Sequence, residues 1–147
     1  MGNAPILEHV FGSAREVSQT PVELIREGVE RAAAADRPGW SDAARSGDLL
    51  ELVAVSERLQ AEVVREIAEW DARQAWAADG ALSASSWLAH RTPLGRRAAS
   101  RLIRAGRLVA RHATTAAALA SGTITAPKVE VLAAAVKHRA SLFARDE

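Results

Sequence analysis

The chain has 147 residues, of which 48% are hydrophobic and 25% charged, and its net charge is +1. This composition is typical of a globular domain with or without a loose leader, and it excludes an intrinsically disordered chain. The absence of cysteine excludes disulfides, thiolate metal sites and cysteine nucleophiles. We therefore expect a cytoplasmic protein.

Charge is distributed unevenly along the chain. Residues 1–79 hold eight arginines against fifteen acids, whereas residues 80–129 hold seven arginines and one lysine without any acid. Such asymmetry suggests a polyanionic partner or self-association. The first thirty residues lack the apolar run of a secretory signal, and no stretch approaches the roughly 20 apolar residues that a membrane span needs. No membrane association is expected.

The amino-terminal part is predicted to hold one short helix. Residues 1–19 show no sustained period and are expected to form a leader. Thr20, followed by Pro21 and Glu23, has the pattern of a capping box, which predicts a helix over 20–35. The following segment, 36–47, contains Pro and Gly residues and is predicted to be a linker. The sequence therefore divides into a leader with one helix (1–47) and a partial helical domain (48–147).

A long helix is predicted to begin at Asp48 and to end near Trp76. Apolar residues recur along it at intervals of three and four, which indicates one buried stripe. The stripe consists of Leu49, Leu52, Leu59, Val63, Ile67 and Trp70.

Shorter helices are predicted to follow a stop at Asp79-Gly80. Ser83 has the character of an N-cap, and Gly122 stands where a glycine usually follows a helix C-terminus. Four helices are predicted here. The first begins at Ser83, the second covers about 96–112, the third covers about 114–121, and the fourth begins at Thr125. No run of alternating β-branched residues predicts a strand. The expected fold is all-α, an irregular multi-helix domain with one long helix, several shorter ones and no sheet.

The predicted helix 96–112 carries most of the positive charge. At about 100° per residue, its arginines project onto an arc of about 140°. They are Arg96, Arg97, Arg101, Arg104, Arg107 and Arg111. Leu108 is the one apolar residue inside this arc. No acid within the helix stands at a spacing that would compensate their repulsion, so an external counter-charge is needed.

Three interpretations of this arginine arc remain open. The phosphate backbone of DNA or RNA is the first, because successive arginines neutralise successive phosphates. Pairing with the acidic long helix, within one chain or between two copies, is the second. A solvated face without a partner is the third. The acids considered on the long helix are Glu51, Glu57, Glu62, Glu66 and Glu69.

Residues 79–132 follow an ordered pattern that is similar to a known family. A D-G-A-x-S-x-x-x-W-L-A segment precedes the arginine helix, and A-x-L-x-x-G-x-I-T follows it. The segment 48–140 resembles domain of unknown function 222, the amino-terminal helical domain of actinobacterial HNH-endonuclease-like proteins. One departure is Ala113, where that family often has proline. The matching residues are Gly80, Ser83, Trp87, Leu88, Leu108, Leu119, Gly122 and Ile124.

This resemblance implies a longer protein with an HNH nuclease near its carboxyl end, of which this chain would be an amino-terminal fragment or a degenerate copy. An HNH site needs an asparagine besides its histidines, and the sole asparagine here is Asn3. We therefore expect no catalysis, no cofactor and no small-molecule substrate. The expected function is DNA binding through phosphate contacts. The alternative is a structural module that forms homo-oligomers by pairing the acidic helix with the arginine helix.

Other chemistry is less well supported by the sequence. The four histidines, His9, His90, His112 and His138, lack the spacing of a metal site. The carboxylates Glu66, Glu69 and Asp71 are interpreted as a solvated face. Three tryptophans offer base stacking or core packing, of which core packing is favoured for Trp70 and Trp87, whereas Trp76 stays open. A helix-turn-helix around Gly122 is less well supported than an ordinary helical hairpin.

Overall fold

The computed structural model describes residues 19–143, with side chains as far as residue 138. Every regular element in that range is helical, which confirms the all-α prediction for the described part of the chain. A short 3₁₀ turn, Ala75–Asp79, lies between the second and third α-helices. The α-helices are α1 (Pro21–Ala34), α2 (Asp42–Ala72), α3 (Ala84–Arg91), α4 (Arg96–Arg111), α5 (Ala113–Ala120) and α6 (Ala126–Phe143).

Helix α1 belongs to a separate unit, residues 1–41, and begins with the predicted capping box. The Glu23 amide donates to Thr20 Oγ1 at 3.3 Å, and the Thr20 amide donates to Glu23 Oε2 at 2.7 Å. The hydrogen bonds that Thr20 donates hold the pKa of Glu23 below its usual value. The predicted helix is confirmed to within one residue at each end. None of its residues is buried.

Helix α2 opens the second unit and begins earlier than the sequence predicted. It starts at Asp42, so the predicted linker is wrong for residues 42–47. A glycine inside a helix costs only about 1 kcal/mol relative to alanine. The other residues of this 31-residue helix offset that cost at Gly47. The helix ends at Ala72 rather than near Trp76, because Gln74 takes a left-handed conformation with φ 52° before the 3₁₀ turn begins.

Burial along α2 is confined to its carboxyl-terminal half. Val64, Ile67 and Ala68 are its buried residues, and none precedes Val64. The predicted buried stripe is therefore wrong for Leu49, Leu52, Leu59 and Val63, which are all exposed by more than a third. Periodicity shows that a helix has an apolar side, but whether a neighbour covers that side depends on tertiary structure.

Helix α4 is the centre of the second unit. It packs against α2, α3, α5 and α6, and much of its surface is therefore buried. The closest approach is at Gly106, where a Cβ atom would lie only 2.7 Å from Cγ2 of Ile67 on α2. Its buried residues are Ala99, Ile103, Ala105, Gly106, Leu108 and Val109.

Helices α5 and α6 are joined by a tight turn. Gly122 has φ 76°, the left-handed conformation that glycine adopts most easily, as its predicted place after a helix end requires. The Ile124 amide donates to the Ala118 carbonyl at 3.2 Å and closes the turn. Ala126, Val129 and Ala133 then bury one side of α6 in the core. Among the described helices, none has the length and apolar character to cross a bilayer.

Candidate nucleic-acid interface

Helix α4 presents its arginines on the side that its neighbours leave uncovered. Gly95 precedes the helix without a side-chain cap, and the first turn contains no acid. Alanines and branched aliphatic residues occupy the covered side, so the amphipathic pattern fixes which residues face outwards. Arg96, Arg97 and Arg111 are exposed, and Arg104 is half-buried.

Four arginines of α4 make no hydrogen bond or ion pair with any residue that the structure describes. These four, Arg96, Arg97, Arg104 and Arg111, are called the arginine strip below. Arg97, Arg104 and Arg111 are seven residues apart, which places their Cα atoms about 10.5 Å apart along the helix axis. Their directions around the axis differ by only about 20° per step. These three arginines of the strip therefore form a nearly straight row about 21 Å long, with Arg96 beside its first member.

The other two arginines of the predicted arc are paired with acids of neighbouring helices. Arg101 Nε donates to Glu130 Oε2 on α6 at 3.1 Å. Arg107 binds Asp71 at the end of α2 through two hydrogen bonds, at 2.6 Å to Oδ2 and 3.3 Å to Oδ1. The hydrogen bonds that Arg107 donates to Asp71 raise the pKa of Arg107 above its usual value. These two arginines therefore already carry a counter-charge.

Leu108 explains why Arg101 is set apart from the strip. In helical projection, Leu108 points between Arg104 and Arg101. It is 8% exposed and belongs to the main core cluster together with Val129 of α6. The arc predicted from the sequence is thus divided, with Arg101 on the side of α6 and the four unpaired arginines on the other.

Asp71 is the residue that the sequence interpretation placed wrongly. The predicted solvated face is wrong for this residue, because its side chain is only 9% exposed. Besides Arg107, it accepts a hydrogen bond from Trp76 Nε1 at 3.0 Å. A signal was present, because Asp71 projects on the same side of α2 as the buried Val64 and Ile67.

The acids considered as internal partners of the arginine arc take other roles. Glu62 pairs with Arg65, and Glu69 lies 3.9 Å from Arg73, so both pairs remain within α2 and its end. Glu51, Glu57 and Glu66 make no ion pair with α4 in the described part of the chain. Glu130 does form an ion pair with α4, through Arg101. It is the single acid of residues 80–145 and follows the buried Val129.

The tryptophans of residues 70–87 pack against one another or against a core cluster. Trp70 and Trp76 contact the cluster of Ile67, Ala84 and Ile103, which confirms core packing for Trp70 and assigns it to Trp76. Trp87 lies 4.9 Å from Trp70 between ring centroids. Its Nε1 donates to Asp79 Oδ2 at 2.7 Å, and the guanidinium of Arg91 lies 5.5 Å from the centroid of its ring. Base stacking is therefore not favoured for these rings.

The histidines do not form a metal site in the described residues. His90 and His112 are exposed on either side of α4, His138 is exposed on α6, and His9 lies outside the described residues. Within 19–143, no cluster of three or more histidine, cysteine, aspartate or glutamate side chains has the arrangement of a metal site. The arginine strip is therefore the candidate site that both the sequence and the structure support.

Comparison with known proteins identifies the family of the chain. Residues 46–142 match the family model described as Domain of unknown function (DUF222), and the chain belongs to this family. The match contains α2 from its second turn onwards and all of α3, α4 and α5. No curated protein and no solved structure matches the chain.

Proposed function

We propose that this DUF222 chain binds DNA non-catalytically, through contacts between the arginine strip of α4 and backbone phosphates. The observation that carries the proposal is the absence of any acid partner for Arg96, Arg97, Arg104 and Arg111 among the described residues. Four guanidinium groups on one side of one helix repel one another, and phosphates relieve that repulsion. Guanidinium also binds phosphate through two parallel hydrogen bonds, which favours this ligand over a general anion.

The position of α4 supports backbone contact without base reading. A recognition helix has to protrude in order to enter a major groove about 12 Å wide. Helix α4 instead lies between four other helices, and its residues are buried on much of its circumference. Its long arginine side chains extend from this surface. We therefore expect affinity that depends strongly on salt and little on sequence.

A salt titration tests this proposal. Four phosphate contacts predict that log K falls against log salt with a slope of about −3.6, which is roughly a 100-fold loss of affinity between 50 and 200 mM salt. The measurement is fluorescence anisotropy of a labelled duplex. The double variant R104A/R111A should flatten the slope to about −1.8.

The matched control is R65A. Arg65 is exposed on α2 and paired with Glu62. Its removal takes away one positive charge without touching the strip, so the slope should stay unchanged. If wild-type protein does not bind at about 50 mM salt, or if R65A flattens the slope as much as loss of a strip arginine, the proposal is wrong.

The wider role proposed here rests on the resemblance to HNH-endonuclease-like proteins. We propose that this domain holds the DNA on which such a nuclease domain acts. Asn3 is the sole asparagine of the sequence, which supports the view that cleavage is supplied elsewhere. Incubation of supercoiled DNA with this chain and divalent metal tests this view, since any nicking would contradict it.

A further inference from the structure

The arginine side of α4 contains a single short side chain, Ser100. At about 100° per residue, it projects between Arg107 and Arg111, in an arc of about 100° whose other members are all arginines. A serine side chain extends one carbon and one oxygen from the backbone, whereas arginine extends three methylene groups and a guanidinium. Ser100 is half-buried. The surface that the arginines form is therefore lowest at this residue.

Three of the four arginines of the strip are the helical neighbours of Ser100. Arg96 and Arg97 precede it by four and three residues, and Arg104 follows it by four. Residues at these spacings have their Cβ atoms about 5–6 Å apart on one side of a helix. An anion that lies between the guanidinium groups of Arg97 and Arg104 therefore lies over the Ser100 hydroxyl group.

The hydroxyl group of Ser100 makes no hydrogen bond with any residue that the structure describes. A serine inside a helix can donate to the carbonyl four residues earlier, as Ser46 does to Asp42 at 2.9 Å. Ser100 makes no such bond to the carbonyl of Arg96, so its hydroxyl group is available to donate to a ligand. Phosphate oxygens accept hydrogen bonds from serine side chains as well as from arginine.

We infer that Ser100 is a phosphate-binding residue, which donates a hydrogen bond to a backbone phosphate held by Arg97 or Arg104. This inference rests on the DNA binding proposed above. The hydroxyl group carries no charge, so it adds affinity without changing the number of phosphates that the chain neutralises. A hydrogen bond to a charged acceptor at a partly exposed site corresponds to about a 3- to 10-fold gain in affinity.

The variants S100T and S100V isolate the hydroxyl group. Threonine and valine have nearly the same shape and similar helix propensity, but only threonine keeps the hydroxyl group. Fluorescence anisotropy with a labelled duplex should find S100V about 3- to 10-fold weaker than S100T at every salt concentration. The slope of log K against log salt should stay near −3.6 for both, unlike that of the arginine variants.

The matched control is S56A, because Ser56 is an exposed serine on α2 rather than α4. Its affinity for the duplex should equal that of wild type, and circular dichroism should show the same helical content for all three variants. Equal affinities of S100T and S100V would overturn the inference about Ser100 while leaving the DNA-binding proposal intact. A flattened slope for S100V would overturn it too, since the substitution would then act through the arginines.

A phosphate titration separates this inference from DNA binding. If the wild-type chain binds no duplex, NMR spectra of the full chain are recorded with inorganic phosphate, and with sodium chloride at the same ionic strength. Phosphate alone should shift the Ser100 amide and the Nε–H groups of Arg97 and Arg104, with smaller shifts in S100V than in S100T. Such shifts would support the phosphate site even though the DNA-binding proposal had failed. No shift at Ser100, or the same shift with chloride, would overturn the inference.

Discussion

The close contact between α2 and α4 can be tested by adding a single methyl group at Gly106. A Cβ atom there would lie 2.7 Å from Ile67 Cγ2 and 3.1 Å from the backbone nitrogen of Ala68. Carbon atoms pack best at about 3.5–4.0 Å, so both neighbours would have to move. Ile67 is 7% exposed and has no solvent to move into, and the Ala68 nitrogen is held within the α2 backbone.

Two effects of G106A oppose each other. Alanine is about 1 kcal/mol more favourable than glycine inside a helix, whereas an extra methyl group in a packed core costs about 1–3 kcal/mol. The overlap with backbone favours the upper part of that cost, since a main-chain atom cannot rotate away. We expect the free energy of unfolding to fall by about 1–2 kcal/mol.

The matched control for this prediction is G47A. Gly47 also lies within a helix, but a Cβ atom there would meet nothing within 4 Å. The same substitution should therefore raise the free energy of unfolding by about 0.5–1 kcal/mol. Urea unfolding followed by circular dichroism measures both variants, with unchanged m-values. A G106A variant as stable as wild type would refute the packing argument.

Three further substitutions test other local contacts. D71N should lower the free energy of unfolding by about 1 kcal/mol, a figure that allows for solvent screening of the half-exposed Arg107. It should also increase the affinity of the chain for DNA, because it removes the negative charge beside Arg107. Urea unfolding measures the first effect and fluorescence anisotropy the second. The pKa of Glu23 is lowered in the folded chain, so the ionised carboxylate contributes to the stability of α1. This contribution is fully present above the pKa that Glu23 has in the unfolded chain, near 4.5, and is lost as the pH falls through its pKa in the folded chain. NMR titration should find this pKa below its usual value, and T20A, which removes the side-chain hydrogen bond but keeps the backbone one, should bring it part of the way back. G122A should cost about 1 kcal/mol, because its φ of 76° strains any residue with a Cβ, and an unchanged unfolding midpoint would contradict this reasoning.

Features of the fold that depend on local chemistry could be read from the sequence. Thr20 with Glu23 marks the start of α1, and Gly122 marks the end of α5, because capping and left-handed turns are properties of a few adjacent residues. The family pattern around Trp87 and Gly122 was likewise contained in one continuous segment. These predictions are confirmed by the structure and by the family match.

Features that depend on neighbouring helices could not be read in the same way. The apolar residues of α2 predicted a buried stripe, yet burial begins only at Val64, where α4 lies alongside. Leu108 is an apolar misfit in the arginine arc by sequence, whereas in the structure it belongs to a core cluster that residues of α2, α5 and α6 complete. The sequence does not indicate Asp71 and Glu130 as partners of Arg107 and Arg101, since they are 36 and 29 residues away. Pairing of this kind follows from tertiary geometry alone.

We propose that the unpaired arginines, rather than total positive charge, bind the phosphate backbone. The most direct measurement compares the salt dependence of duplex binding for R97A/R104A/R111A and R101A/R107A. The strip variant should flatten the slope of log K against log salt by about 2.7, from about −3.6 to about −0.9. The second variant removes arginines already paired with Glu130 and Asp71, so it should change the slope by less than about one unit. Equal flattening by both variants, or an unchanged slope for the strip variant, would contradict the claim.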